Sequence, residues 1–178
     1  MKKLSILTYI AFALSVAILL VGVANTNAEE TNERLKGTYA LNLVGTCTLA
    51  SGYTQTIHLQ GQLVFNGDGT GESSLIALIT NHNPAITGEV YPVVRDLTGN
   101  FTYSVWSDDY FTTDSNLTVV GTPVTISGIM QEGRIGHGAQ TLLISDTDTN
   151  IETLWVGGSV LTTRTCGRNS TAVKIRSN

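Results

Sequence analysis

From Thr38 to Cys47 the chain alternates in character. Tyr39, Leu41, Leu43 and Cys47 fall on one side, and Thr38, Asn42 and Thr46 on the other. A period of two is the signature of a strand buried on one face, because successive side chains leave a pleated backbone in opposite directions. Ile57 to Phe65 repeats it, with Ile57, Leu59, Leu63 and Phe65 set against His58, Gln60 and Gln62. Phe101, Tyr103 and Val105 alternate with Thr102 and Ser104, and Val124, Ile126 and Met130 alternate with Thr125 and Ser127. Thr141 to Ile144, Leu154 to Thr163, and Val173 with Ile175 continue the series. Ser74 to Thr80 is apolar at both parities, which predicts a strand buried on both sides or lying at an interface. Threonine, valine, isoleucine and aromatic residues dominate these runs, as pleated, half-buried surfaces require.

Turn signals separate the runs: Asn66 to Gly69, Asn81 to Pro84, Thr98 to Asn100, Gly121 to Pro123, Glu132-Gly133 and Asp146 to Asn150. About eight strands with short connections predict an all-β domain. An antiparallel up-and-down barrel is the favoured architecture and a two-sheet sandwich the alternative. Glycines within the runs, Gly45, Gly61, Gly128, Gly157 and Gly158, suit bends or close packing in a curved sheet.

The N-terminus predicts export. Met1-Lys2-Lys3 is a basic start, Leu4 to Val23 is almost uncharged and mostly apolar, and a polar stretch ends at Ala28 before Glu29-Glu30. This reads as a signal peptide over residues 1–28, cleaved after Ala28, with a retained membrane anchor as the alternative. Residues 29–178 then form one domain, secreted or periplasmic, with no stable membrane span after cleavage. The formal net charge is −4, and losing Lys2 and Lys3 makes it more acidic. Nucleic acid and anionic membrane surfaces are poor partners for such a chain.

Cys47 and Cys166 are the only two cysteines. An even pair in an exported chain predicts a disulfide. Its geometry requires the end of the first strand to lie beside one of the last, which favours the barrel. A zinc site lacks a second close pair or a nearby histidine.

The segments "LKGTYALNLVGTC", Leu35 to Cys47, and "GQLVFNGDGTGES", Gly61 to Ser73, resemble the opening of small exported bacterial proteins of unknown function. Those carry a Gly-x-Tyr first strand and a strand entering a glycine-rich hairpin. The resemblance implies an allene-oxide-cyclase-like or lipocalin-like barrel. It covers about the first third of the mature chain. It implies no cyclase activity, since none of that family's active-site residues has a counterpart here.

Catalytic patterns are sparse. His58 lies on a polar strand face, and His82 and His137 lie in turn-like contexts without a helical zinc spacing. "GESS" and "GGSV" are not nucleophile elbows. The most unusual cluster is Trp106, Asp108, Asp109, Tyr110 and Phe111. It reads either as a binding patch for a sugar or protein, or as a hairpin turn with aromatics at its base.

Two loops invite a calcium reading. From Asp146, the series Asp148, Asn150 and Glu152 offers oxygens at alternate positions, but Ile151 and Gly157 occupy the sixth and twelfth places. From Asn66, Asp68 and Thr70 alternate and Gly71 is sixth, but Ala77 stands where the bidentate glutamate belongs. Neither predicts a metal site. The same loop is no phosphate cradle, because Glu72 follows Gly71 where a lysine would be needed and a strand follows where a helix would be. Sequons at Asn100, Asn116 and Asn169 are consistent with exposed loops. No cofactor is expected. The favoured function is a non-catalytic exported barrel that binds a small apolar ligand or a protein. A barrel enzyme of isomerase or cyclase type and a structural or surface-interaction protein are the alternatives.

Overall fold

Apolar residues at every second position, with turns between them, suit either a closed barrel or a two-sheet sandwich, and this chain brings its first and last strands together around a single core. A computed structural model describes residues 31–82, 92–147 and 150–176; the leader and part of the turn expected at Asn81 to Pro84 lie outside them. The strands are β1 (Gly37–Leu49), β2 (Thr54–Phe65), β3 (Thr70–Asn81), β4 (Val93–Val105), β5 (Tyr110–Val119), β6 (Val124–Ile135), β7 (Thr141–Asp146), β8 (Ile151–Val156) and β9 (Ser159–Arg176). Each of β1 to β6 pairs antiparallel with its neighbour in sequence, and β9 returns to pair with β1. The short strands β7 and β8 both sit between β6 and β9, one beyond the other, and fill one position together. Among the described residues, nine strands thus close an eight-stranded antiparallel barrel, and the sandwich alternative falls.

Cys47 lies directly opposite Cys166 at the β1–β9 seam, and the two form a disulfide. The loop Asn66 to Gly69 is the β2–β3 hairpin turn. Gly67 and Gly69 supply φ values of 92° each, which side chains with a Cβ adopt at a cost. Asp68 accepts hydrogen bonds from Thr70 N (2.9 Å) and Thr70 Oγ1 (2.6 Å). These bonds hold its carboxyl below the ordinary aspartate range. The carboxylate secures the turn.

One end of the barrel is filled with rings. Phe65 meets Tyr39, Phe101 and Tyr103 edge to face at centroid distances of 5.3, 5.0 and 4.9 Å, the geometry that ring quadrupoles favour. A helical turn over residues 31–35 buries Leu35 fully in the core, and the Asn32 carbonyl of the turn accepts a hydrogen bond from Tyr103 Oη at 3.2 Å. Tyr39 Oη donates to the Ala139 carbonyl at 2.8 Å, and burial pushes its pKa up to about 12. The sign follows from linkage: below the ordinary value of 10.0 the neutral phenol contributes its full stability, and this is lost as pH rises through the native value. We expect stability to fall between about pH 10 and 12 and the Tyr39→Phe variant to fall less steeply. Alkaline denaturation followed by circular dichroism tests this; equal slopes for the two proteins would refute it.

Several sequence expectations are corrected. Thr98 to Asn100 and Glu132-Gly133 are strand interior, in β4 and β6. Glycine is used there for packing, since a Cβ on Gly99 would stand 2.0 Å from the Asn116 carbonyl oxygen. The run Leu154 to Thr163 is two strands, folded back at Gly157-Gly158. Ser74 to Thr80 is one-sided: Leu75 and Ala77 are buried, whereas Ile76 and Leu78 face outward. Met130 is also outward, because a bulge at Gly128 (φ 75°) shifts parity and turns Ile129 into the core beside Ile126. Val173 and Ile175 are exposed as well, and β9 buries the opposite parity.

Candidate functional site

The disulfide determines which side chains of β9 point inward. Cys166 must face the lumen to meet Cys47, so Arg164 and Arg168, two residues to either side, share that face. Both are buried, at 6% and 4% exposure. Glu152 of β8 and Asp146 of β7 complete a chain of ion pairs with them. Arg164 Nε donates to Glu152 Oε2 at 2.7 Å, and the other Glu152 oxygen accepts from Arg168 Nη2. Arg168 Nε donates to both Asp146 oxygens, at 3.0 and 2.8 Å, and Gln131 Nε2 donates to Asp146 Oδ1 at 3.3 Å. Glu152 is fully buried. Burial raises the pKa of Asp146, opposed by the Arg168 charge. Gly45 of β1, opposite Arg168, leaves room for this arginine: a Cβ there would lie 2.1 Å from Arg168 Cγ.

Beyond these arginines, towards the end of the barrel remote from the rings, the lumen is not filled. A cavity of about 260 Å³ is walled by Ile57, Leu59, Leu97, Leu117, Val119 and Ile126, with Arg164 and Arg168 on its surface. Arg95, on an exposed stretch of β4, also borders it. Neither Glu152 nor Asp146 contributes to the wall. Both carboxylates sit behind the guanidinium groups that they neutralise.

The cluster Trp106 to Phe111, read either as a binding patch or as a hairpin turn, divides between core and surface. Phe111 is fully buried in the barrel core, because it follows the parity of β5 rather than that of the turn. Trp106 and Tyr110 pack at 5.3 Å. Tyr110 Oη donates to Glu132 Oε2 at 2.6 Å, and the Arg134 guanidinium lies 5.3 Å from the Tyr110 ring. Asp108 pairs with Arg134 at 3.0 Å, and Asp109, at φ 65°, pairs with Arg34. These groups satisfy one another, as in a hairpin turn with aromatics at its base.

The side chains of Asp146 and Glu152, offered as calcium ligands, point inward to arginines. His58, His82 and His137 are all exposed. Among the described residues, one group of possible metal ligands comes together, Cys47, Glu152 and Cys166, and its sulfurs are already bonded to each other. No described helix is long and apolar enough to cross a membrane.

Sequence reasoning missed Arg164, Arg168 and the inward role of Glu152. A signal was present in "RTCGR": once Cys166 is placed inside, alternation places both arginines inside.

The class defined by this geometry is a closed eight-stranded antiparallel barrel with one end packed by aromatic side chains and a cavity towards the other. No family model matches the chain, and no curated protein matches it. Among solved structures it is similar to EF1p2_mFAP2b bound to DFHBI, at 14% identity over 83% of this chain and 99% of that one, with a TM-score of 0.40. A redesigned β-barrel, mFAP1, bound to DFHBI matches at 17% identity over 82% and 99%, with a TM-score of 0.36. The S-type phycobiliprotein lyase CPES from Guillardia theta matches at 10% identity over 84% and 93%, with a TM-score of 0.37.

Proposed function

We propose that this protein is an exported, non-catalytic barrel that holds a small apolar ligand in its lumen. The observation that carries this reading is the cavity of about 260 Å³, walled mainly by aliphatic side chains contributed by neighbouring strands. Its size is near the lower end of small-molecule sites, about 300–1,000 Å³, so the ligand is a short chain or a single ring. A packed barrel would have filled this space with side chains, as the Phe65 end does. A non-catalytic role is supported by the outward position of all three histidines and by the occupation of Asp146 and Glu152 with arginines.

Octan-1-ol titrated into isotopically labelled protein is expected to shift, saturably, the NMR signals of Ile57, Leu59, Leu97 and Leu117. Ala77, fully buried and on the cavity wall, offers the control: Ala77→Phe is expected to occupy the void and abolish those shifts. Absence of any saturable shift in the unmodified protein would overturn the reading.

A further inference from the structure

The aliphatic cavity has a charged floor, and the charge it presents has one sign. Among the described residues, Arg95, Arg164 and Arg168 border it and no Asp or Glu does. The two carboxylates that balance Arg164 and Arg168 bind them from the far side. Arg164 spends only its Nε on Glu152. Among the described residues, no group accepts a hydrogen bond from its Nη1 or Nη2, although the side chain is 6% exposed. A guanidinium carries five N–H donors in a planar fork. The Nη atoms are not among the buried unpaired polar atoms of the described residues, so the terminal edge is accessible from the cavity and open to an acceptor that enters it.

On this basis, and resting on the lumenal-binding reading above, we propose that the ligand is a small amphiphilic monocarboxylate, its apolar part among Ile57, Leu59, Leu97 and Leu117 and its carboxylate on the free Nη edge of Arg164. A carboxylate supplies two acceptor oxygens at the spacing of that edge, a bidentate match that an alcohol does not make. Glu152 acts as a positioning residue. It clamps Arg164 through Nε and leaves the terminal edge turned to the cavity. Arg95 at the border adds attraction for an entering anion, weakened by solvent.

The test compares three probes of equal chain length on the full protein: octanoate, octan-1-ol and octylammonium, titrated by calorimetry and by the NMR shifts described above. Octanoate is expected to bind at least ten-fold more tightly than octan-1-ol, with octylammonium weakest. In Arg164→Met, which keeps the length of the side chain and leaves Glu152 paired with Arg168, octanoate is expected to fall to the affinity of octan-1-ol while octan-1-ol is unchanged. If octanoate and octan-1-ol bind equally to the unmodified protein, the carboxylate assignment is overturned and the apolar site stands. If none of the three binds, both readings fall. The comparison on the unmodified protein decides the matter even where Arg164→Met does not fold.

Discussion

Oxidised protein is expected to exceed the Cys47→Ser/Cys166→Ser variant in stability by about 4–5 kcal/mol. The two cysteines are 119 residues apart in sequence, and in the chain-entropy model a cross-link of that span removes a large share of the freedom of the unfolded chain. Position adds to the effect. The bridge joins β1 to β9 across the seam where the sheet closes, and every contact made there is between distant parts of the chain. Such contacts carry the greatest closure cost when the chain is free. Guanidinium denaturation of the two proteins measures the difference, and the midpoint should drop strongly while the barrel persists at low denaturant. Equal midpoints would show that the unfolded chain is already held compact by other means. Reductant should move the unmodified protein towards the variant, and leave the variant where it is.

Glu152→Ala is expected to cost about 3–5 kcal/mol, the penalty for removing one member of a buried ionic group. Glu152 is fully buried and binds two arginines, both nearly inaccessible. Its removal leaves Arg168 with Asp146, but strips Arg164 of its only charged partner among the described residues. The damage comes from the uncompensated cation and not from lost packing. The quadruple variant Asp146→Asn, Glu152→Leu, Arg164→Met, Arg168→Leu should therefore recover most of the stability, because apolar replacement of a whole buried ionic group is often neutral or better. Urea denaturation distinguishes the two accounts. A quadruple variant as unstable as the single one would mean that the network is required for the shape of the barrel itself. Recovery of stability together with loss of octanoate preference would place its role in binding.

The barrel was legible because its determinants are local. Tyr39, Leu41, Leu43, Leu59, Phe65, Phe101 and Tyr103 are apolar at every second position, and all turn inward. Asn66 to Gly69 is a turn by its own chemistry. The cysteine pair located the seam. Where parity failed, a local cause intervened that periodicity does not contain: the bulge at Gly128 moved Met130 outward, and glycines at 99 and 133 mark close strand packing where a turn was expected. Part of the site was illegible for a different reason. Apolar patterning finds faces that exclude water, and β9 presents Arg164, Arg168 and Ser170 to the interior, a face that reads as solvated until its partners are known.

Composition and spacing alone thus determined an all-β chain, the hairpin turn at Asn66 to Gly69 and the pairing of Cys47 with Cys166, since each follows from side chains acting on their own backbone or from a single covalent geometry. Only the tertiary structure decided that Asp146, Glu152, Arg164 and Arg168 share the interior. Charges are admitted there when they neutralise one another at hydrogen-bonding distance, and that condition depends on β7, β8 and β9 meeting in space. The same meeting left an aliphatic cavity with arginines on its wall and carboxylates behind them.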